Sequence, residues 1–211
     1  MELSLIQKIA VSILPILFAI TVHEVAHGYV ANKFGDPTAK MLGRLTLNPI
    51  KHIDPIGTIV VPGILLILGG FIFGWAKPVP VTWQNLKHPR RDMALVALAG
   101  PFSNLLMAVF WAGLLHIIIN INPQLTSFGV GIALMCQIGV TINLILMVLN
   151  ILPCPPLDGS RVLASFLPPR IAYQYNRIEP YGFFILLLLL VTGILGKILE
   201  PMVDFFYKLL L

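Results

Sequence analysis

The chain has 211 residues, 57% of them hydrophobic and 11% charged, with a formal charge of +5 and a mean hydropathy of +0.90. Soluble domains carry about 25% charged residues, so the composition excludes an ordinary soluble protein and indicates an all-α polytopic membrane protein. The length suits one domain over 1–211 without a further soluble module of about 100 residues, and excess basic charge in such a protein marks cytoplasmic loops rather than a nucleic-acid surface.

Apolar stretches run at about 5–31, 57–75, 93–119, 127–152 and 181–199, each near the roughly 20 residues that a span needs. The first lacks a basic, apolar and small-residue leader pattern, so it is expected to serve as the insertion signal itself. The second holds Gly57, Pro62, Gly63, Gly69, Gly70 and Gly74, residues that break helices or favour turns. Irregular backbone at membrane depth is tolerated only where protein covers it or water lines it. A re-entrant element is therefore expected over 57–75, with about four transmembrane helices from the other stretches. Residues 43–48 read as a short β-strand near the candidate site. Gly100 and Pro101 are expected to permit close helix packing or a kink. The C-terminal part, 181–211, reads as a last span with an interfacial tail from Glu200. Cys136 and Cys154 have no zinc or redox spacing.

HEVAH at 23–27 ends the first apolar run. On a helix, His23 and His27 are four residues apart and share a face. Two imidazoles so placed can bind one zinc, with Glu24 beside the metal as general base. Residues 10–22 offer only Ser12 and Thr21 as hydrogen-bonding side chains, so the metal is expected within the bilayer. A catalytic zinc takes three protein ligands and keeps one position open. Asp158 is the candidate third ligand, because an ionised aspartate at this depth is costly unless paired or bound to metal. It follows the stretch 127–152 directly. Were 57–75 to cross the membrane, His23 and Asp158 would lie about 30 Å apart; re-entry puts both at one face. Charge agrees, since loops 32–92 and 153–180 hold 11 of the 14 basic residues. That face is expected to be cytoplasmic.

HEVAH at 23–27, AGPFSN at 99–104 and NILPCPPLDG at 150–159 together resemble the site-2 proteases, which are intramembrane zinc metalloproteases. GRLTLNP at 43–49, HIDP at 52–55 and GWAKPVP at 74–80 look like the small bacterial and archaeal branch without a PDZ domain. The likeness covers about 20–165, with a catalytic core expected at about 5–165. It implies one Zn2+ per chain held by His23, His27 and Asp158. It also implies Glu24 as the base that activates the zinc-bound water, and Asn150 as a contact to the substrate carbonyl or its oxyanion. The implied substrate is a membrane protein cut in or near a transmembrane segment, as anti-sigma factors are. The implied place is a bacterial or archaeal plasma membrane, with the active site toward the cytoplasm.

Three further residues are possible accessories to the site. His52 and Asp54 could gate the zinc mouth or supply an alternate ligand. Asn104, with Ser103 and Asn143, could line a water path or hydrogen-bond between spans. Two other functions use the same residues: a membrane metal transporter or channel, and an inactive substrate-binding relative. A transporter needs a path to both faces, whereas the polar residues gather on one side and Glu24 would lack a task. Intact His23, Glu24, His27 and Asp158 argue against the inactive relative.

Overall fold

In hydrocarbon the backbone finds no water to bond, and helices meet that constraint within one segment. The computed structural model describes residues 4–60, 64, 77–121 and 126–211. Its helices are α1 (Leu5–Lys33), α2 (Thr38–Met41), α3 (Pro89–Ile121), α4 (Ser127–Ile151), α5 (Asp158–Phe166), α6 (Pro169–Asn176), α7 (Glu179–Val191) and α8 (Ile194–Leu210). Among the described residues, α1, α3 and α4 are long and apolar enough to cross a membrane, and α7 with α8 makes a bent pair that could form a fourth span. A capping box starts α1: the Ser4 hydroxyl accepts from the Gln7 N–H at 3.3 Å, and the Gln7 side chain accepts from the Ser4 N–H at 2.9 Å. The Thr126 hydroxyl caps α4 by accepting from Gly129 N–H.

The three long helices pack on one another. Trp111, Ala112 and Leu115 of α3 meet Cys136, Val140, Leu144 and Val148 of α4 in the main core. Their outer faces leave Phe102, Leu106 and Phe110 exposed, as a lipid-facing surface requires.

The C-terminal part is broken into two helices. The chain does not run straight from 181 to 199 but bends by 80° between α7 and α8. Gly193 sits at φ 73°, in the left-handed region, and ends α7 as a glycine past a helix C-terminus does. Thirteen residues give α7 a length of only about 20 Å. The residues from Glu200 to Leu210 belong to α8. Leu199, Val203, Phe206, Tyr207 and Leu210 lie against the main core, while Lys197, Glu200, Asp204 and Lys208 are exposed.

The expected β-strand at 43–48 is absent: no strand occurs among the described residues. Local groups rather than a neighbouring strand satisfy the stretch. The Thr46 hydroxyl accepts from Asn48 N–H, the Asn48 side chain accepts from Ile50 N–H, and the Thr46 carbonyl accepts from His52 Nε2 at 2.9 Å.

Most of 57–75, and so the expected re-entrant element, lies outside the described residues. Its flanks do not. Lys77 N–H donates to the His52 carbonyl at 2.9 Å, and Lys87 N–H donates to the Phe34 carbonyl at 3.0 Å. Asp36, fully buried, fastens the same closure. Its carboxylate accepts from Thr82 N–H at 2.6 Å, Thr38 N–H at 3.1 Å and Asn85 Nδ2 at 3.0 Å, and from the Thr38 hydroxyl. The end of α1 and the start of α3 therefore meet at one end of the bundle.

Burial pushes the Asp36 carboxyl up, but the hydrogen bonds from Thr38, Asn85 and Thr82 outweigh it and hold the group below the usual carboxylate range. A depressed folded pKa stabilises the fold above the unfolded value of about 3.9, and that contribution is lost as pH falls through the folded value. Asp36→Asn turns an amide toward the Thr82 N–H and is expected to cost about 1–3 kcal/mol near neutrality. Thermal unfolding in detergent from pH 7 to 3 checks this. The gap between wild type and variant should hold down to about pH 4 and narrow below it; equal melting of both proteins across the range would contradict the assignment.

Candidate metal centre

His23 and His27 stand one turn apart on α1, as their spacing requires. Asp158 arrives from the proline-rich turn after α4, as the first residue of α5. Gly159 makes that arrival possible, because a Cβ there would overlap the Ile151 carbonyl. His23 Nε2 and His27 Nε2 each lie 3.2 Å from Asp158 Oδ2 and 3.0 Å from each other. The three form the one group of potential metal donors found among the described residues.

The protonation of the two rings follows from their other nitrogens. His27 Nδ1 lies 2.7 Å from the Val96 carbonyl, which can only accept, so Nδ1 carries the proton. His23 Nδ1 lies 2.6 Å from Asn104 Oδ1. Asn104 is oriented by its own Nδ2, which donates to the Ala19 carbonyl at 3.2 Å and to Asn143 Oδ1 at 2.9 Å. Its oxygen therefore faces His23, and that ring too is protonated at Nδ1. In the neutral rings both Nε2 atoms then present lone pairs toward Asp158. Asp158 Oδ2 lies 3.2 Å from each of those nitrogens. Three ligand atoms of this kind converge on one point, an arrangement that suits a bound cation.

The spacing fits zinc. Bonds of about 2.0–2.1 Å in a tetrahedral site place neighbouring ligand atoms about 3.3 Å apart. Two imidazole nitrogens and a carboxylate oxygen are also a common catalytic donor set. Helix α3 closes the other side at Gly100, where a Cβ would overlap His27 Nε2 and lie 2.5 Å from His23 Cε1. That glycine leaves room for the rings and so permits the close packing of α1 on α3.

Beside the three donors is a cavity of about 200 Å³, lined by Glu24, Val79, Val96, Asn150 and Arg161 among others. Glu24 Oε2 accepts from Val79 N–H at 2.6 Å, which turns the carboxylate along an extended stretch over the site. Asn150 shares the cavity; one of its Nδ2 hydrogens goes to the Leu146 carbonyl at 2.9 Å, leaving the other. A larger open depression of about 510 Å³ at Asn176, Arg177, Glu179, Pro180 and Tyr181 brings together no such donors.

His52 and Asp54 do not line the cavity. His52 is buried on the Thr46 carbonyl, and Asp54 accepts from Ile56 and Gly57 N–H groups at 3.0 and 2.8 Å. Ser103, Asn104 and Asn143 are buried, and their hydrogen bonds go to protein groups. Sequence reasoning passed over Val79 and Arg161. For Val79 a signal existed, because Pro78 and Pro80 lack N–H groups and leave it as the sole amide donor of that triplet.

A model of peptidase family M50 matches residues 112–193. The chain is 42% identical over 193 residues to the Bacillus subtilis protein named "Putative zinc metalloprotease YwhC", spanning 91% of this chain and 85% of that one. Rip2 of Mycolicibacterium smegmatis, similarly described, is 33% identical over 90% of this chain and 70% of its own. Rip2 of Mycobacterium tuberculosis (strain H37Rv) is 31% identical over 85% and 66%. No solved structure matches the chain.

Proposed function

The chain belongs to peptidase family M50, the site-2 proteases, and is a membrane-embedded zinc metalloprotease; from that premise we propose that it cuts a peptide bond in or near a transmembrane segment of a membrane protein. In this reading the whole chain acts as one domain. His23, His27 and Asp158 hold one Zn2+, and Glu24 is the general base. The observation that carries it is the convergence of three potential ligand atoms within 3.2 Å of one another beside the Glu24 cavity.

Bound there, zinc supplies a Lewis acid and brings the pKa of its water toward about 7. Glu24 is held through Oε2 by Val79 N–H, which leaves Oε1 to take a proton from water and return it to the leaving amine. In this reading the second amide hydrogen of Asn150 meets charge developing on the substrate carbonyl. The clustering of 11 of 14 basic residues in the loops at the site end supports a cytoplasmic-facing site in a bacterial or archaeal plasma membrane. Behind the histidines, Asn104 and Asn143 are packed and fully buried, which favours a protease over a channel that passes metal to the opposite face.

The test is metal removal. Purified protein in proteoliposomes is expected to cut a transmembrane peptide, lose that cleavage on chelation, and recover it with Zn2+. Undiminished cleavage by metal-free protein would overturn the reading.

A further inference from the structure

We propose that Asn104 is a positioning residue for the metal centre: its side-chain amide fixes the tautomer and orientation of His23, and Asn143 fixes Asn104 in turn. The inference rests on the reading of His23 as a metal ligand.

The two histidines are held by different kinds of group. His27 Nδ1 donates to a main-chain carbonyl, that of Val96, which no side-chain substitution removes. His23 Nδ1 donates to a side chain, Asn104 Oδ1, at 2.6 Å. A metal-binding imidazole needs its other nitrogen occupied by an acceptor, so that the proton stays away from the metal and the ring keeps its direction. Only the acceptor on His23 depends on the identity of a residue.

Every polar atom of the Asn104 amide is committed. Oδ1 takes the His23 proton, and the two Nδ2 hydrogens go to the Ala19 carbonyl and to Asn143 Oδ1. Asn143 Nδ2 donates in turn to the Gly139 carbonyl of α4 at 2.8 Å. Both asparagines have no exposed surface. An amide with both donors engaged cannot rotate to turn its nitrogen toward His23 without breaking two hydrogen bonds. The relay therefore sets which atom His23 meets. It also ties α1, which carries the histidines, to α4, whose C-terminal end leads to Asp158. An apolar pair would hold these helices together equally well, but it would leave the His23 Nδ1–H buried without an acceptor and the ring free to exchange tautomers.

The experiment measures zinc affinity by competition with a chromophoric chelator, and the visible spectrum of the Co2+-loaded protein. The proteins are wild type, His23→Ala, Asn104→Ala, Asn104→Asp and Asn143→Ala. Asn104→Ala is expected to lose about 10- to 100-fold in zinc affinity and to alter the Co2+ bands. Asn104→Asp restores an acceptor to His23 and is expected to recover much of that affinity. Asn143→Ala keeps the acceptor but frees it, so its loss should be smaller than that of Asn104→Ala while its Co2+ bands broaden. Wild-type affinity and spectrum in Asn104→Ala would overturn the proposal. Should that variant fail to accumulate, wild-type bands in Asn143→Ala would do so. If His23→Ala binds zinc as tightly as wild type, the underlying ligand reading has failed instead.

Discussion

Glu24→Gln is expected to leave zinc content unchanged and to slow cleavage by about 10²- to 10⁴-fold, the range for loss of a positioned general base. Glutamine has nearly the same shape, and its amide oxygen can still accept from Val79 N–H, which lies 2.6 Å from Glu24 Oε2. What is lost is basicity. Glu24 is not one of the three converging donors, so metal binding should survive the change. Metal analysis of both purified proteins, with single-turnover cleavage of a transmembrane peptide, separates the two effects. Comparable cleavage by both would remove Glu24 from its role. Loss of zinc from the variant would instead place the residue among the ligands.

The sequence disclosed the donor set because its signals were local or compositional. Two histidines at i and i+4 share a helix face whatever surrounds them. Asp158 stood out because charge is rare in apolar sequence and must be compensated. What escaped was tertiary. Residues 43–48 have strand-like composition, yet strand identity needs a partner ladder, and here Thr46 and Asn48 take the local hydrogen bonds instead. The amide of Val79 that holds Glu24 is a main-chain group, and side-chain identity reports on it only through the prolines on either side. Asn104 could be read equally as a water-path residue or as an interhelical bond; its facing of His23 emerges only once α1, α3 and α4 are assembled. The continuation of α8 through Glu200 is legible in the sequence. Lys197, Glu200, Asp204 and Lys208 recur every three to four residues, the mark of a helix that continues through Glu200 with one polar side.

Gly100→Ala should disturb the metal centre directly. A Cβ at this position would overlap His27 Nε2 and lie 2.5 Å from His23 Cε1, so the rings must rotate or α3 must retreat from α1. Rotation is opposed by the bonds from the two Nδ1 atoms to Val96 and Asn104. Retreat would open the packing between the helices, and overpacking of this kind costs about 1–3 kcal/mol. Either response moves a donor by a fraction of an ångström or more, and a misplacement of about 1 Å costs on the order of 10²-fold in activity. The internal comparison is Gly113→Ala on the same helix, where a Cβ meets nothing within 4 Å. That variant should bind zinc normally and melt at or slightly above the wild-type temperature, because alanine favours helix over glycine by about 1 kcal/mol. Zinc titration and thermal melting of the two variants therefore isolate the cradle from any general effect of adding a methyl to α3. If both bind zinc as wild type does, Gly100 does not shape the metal centre.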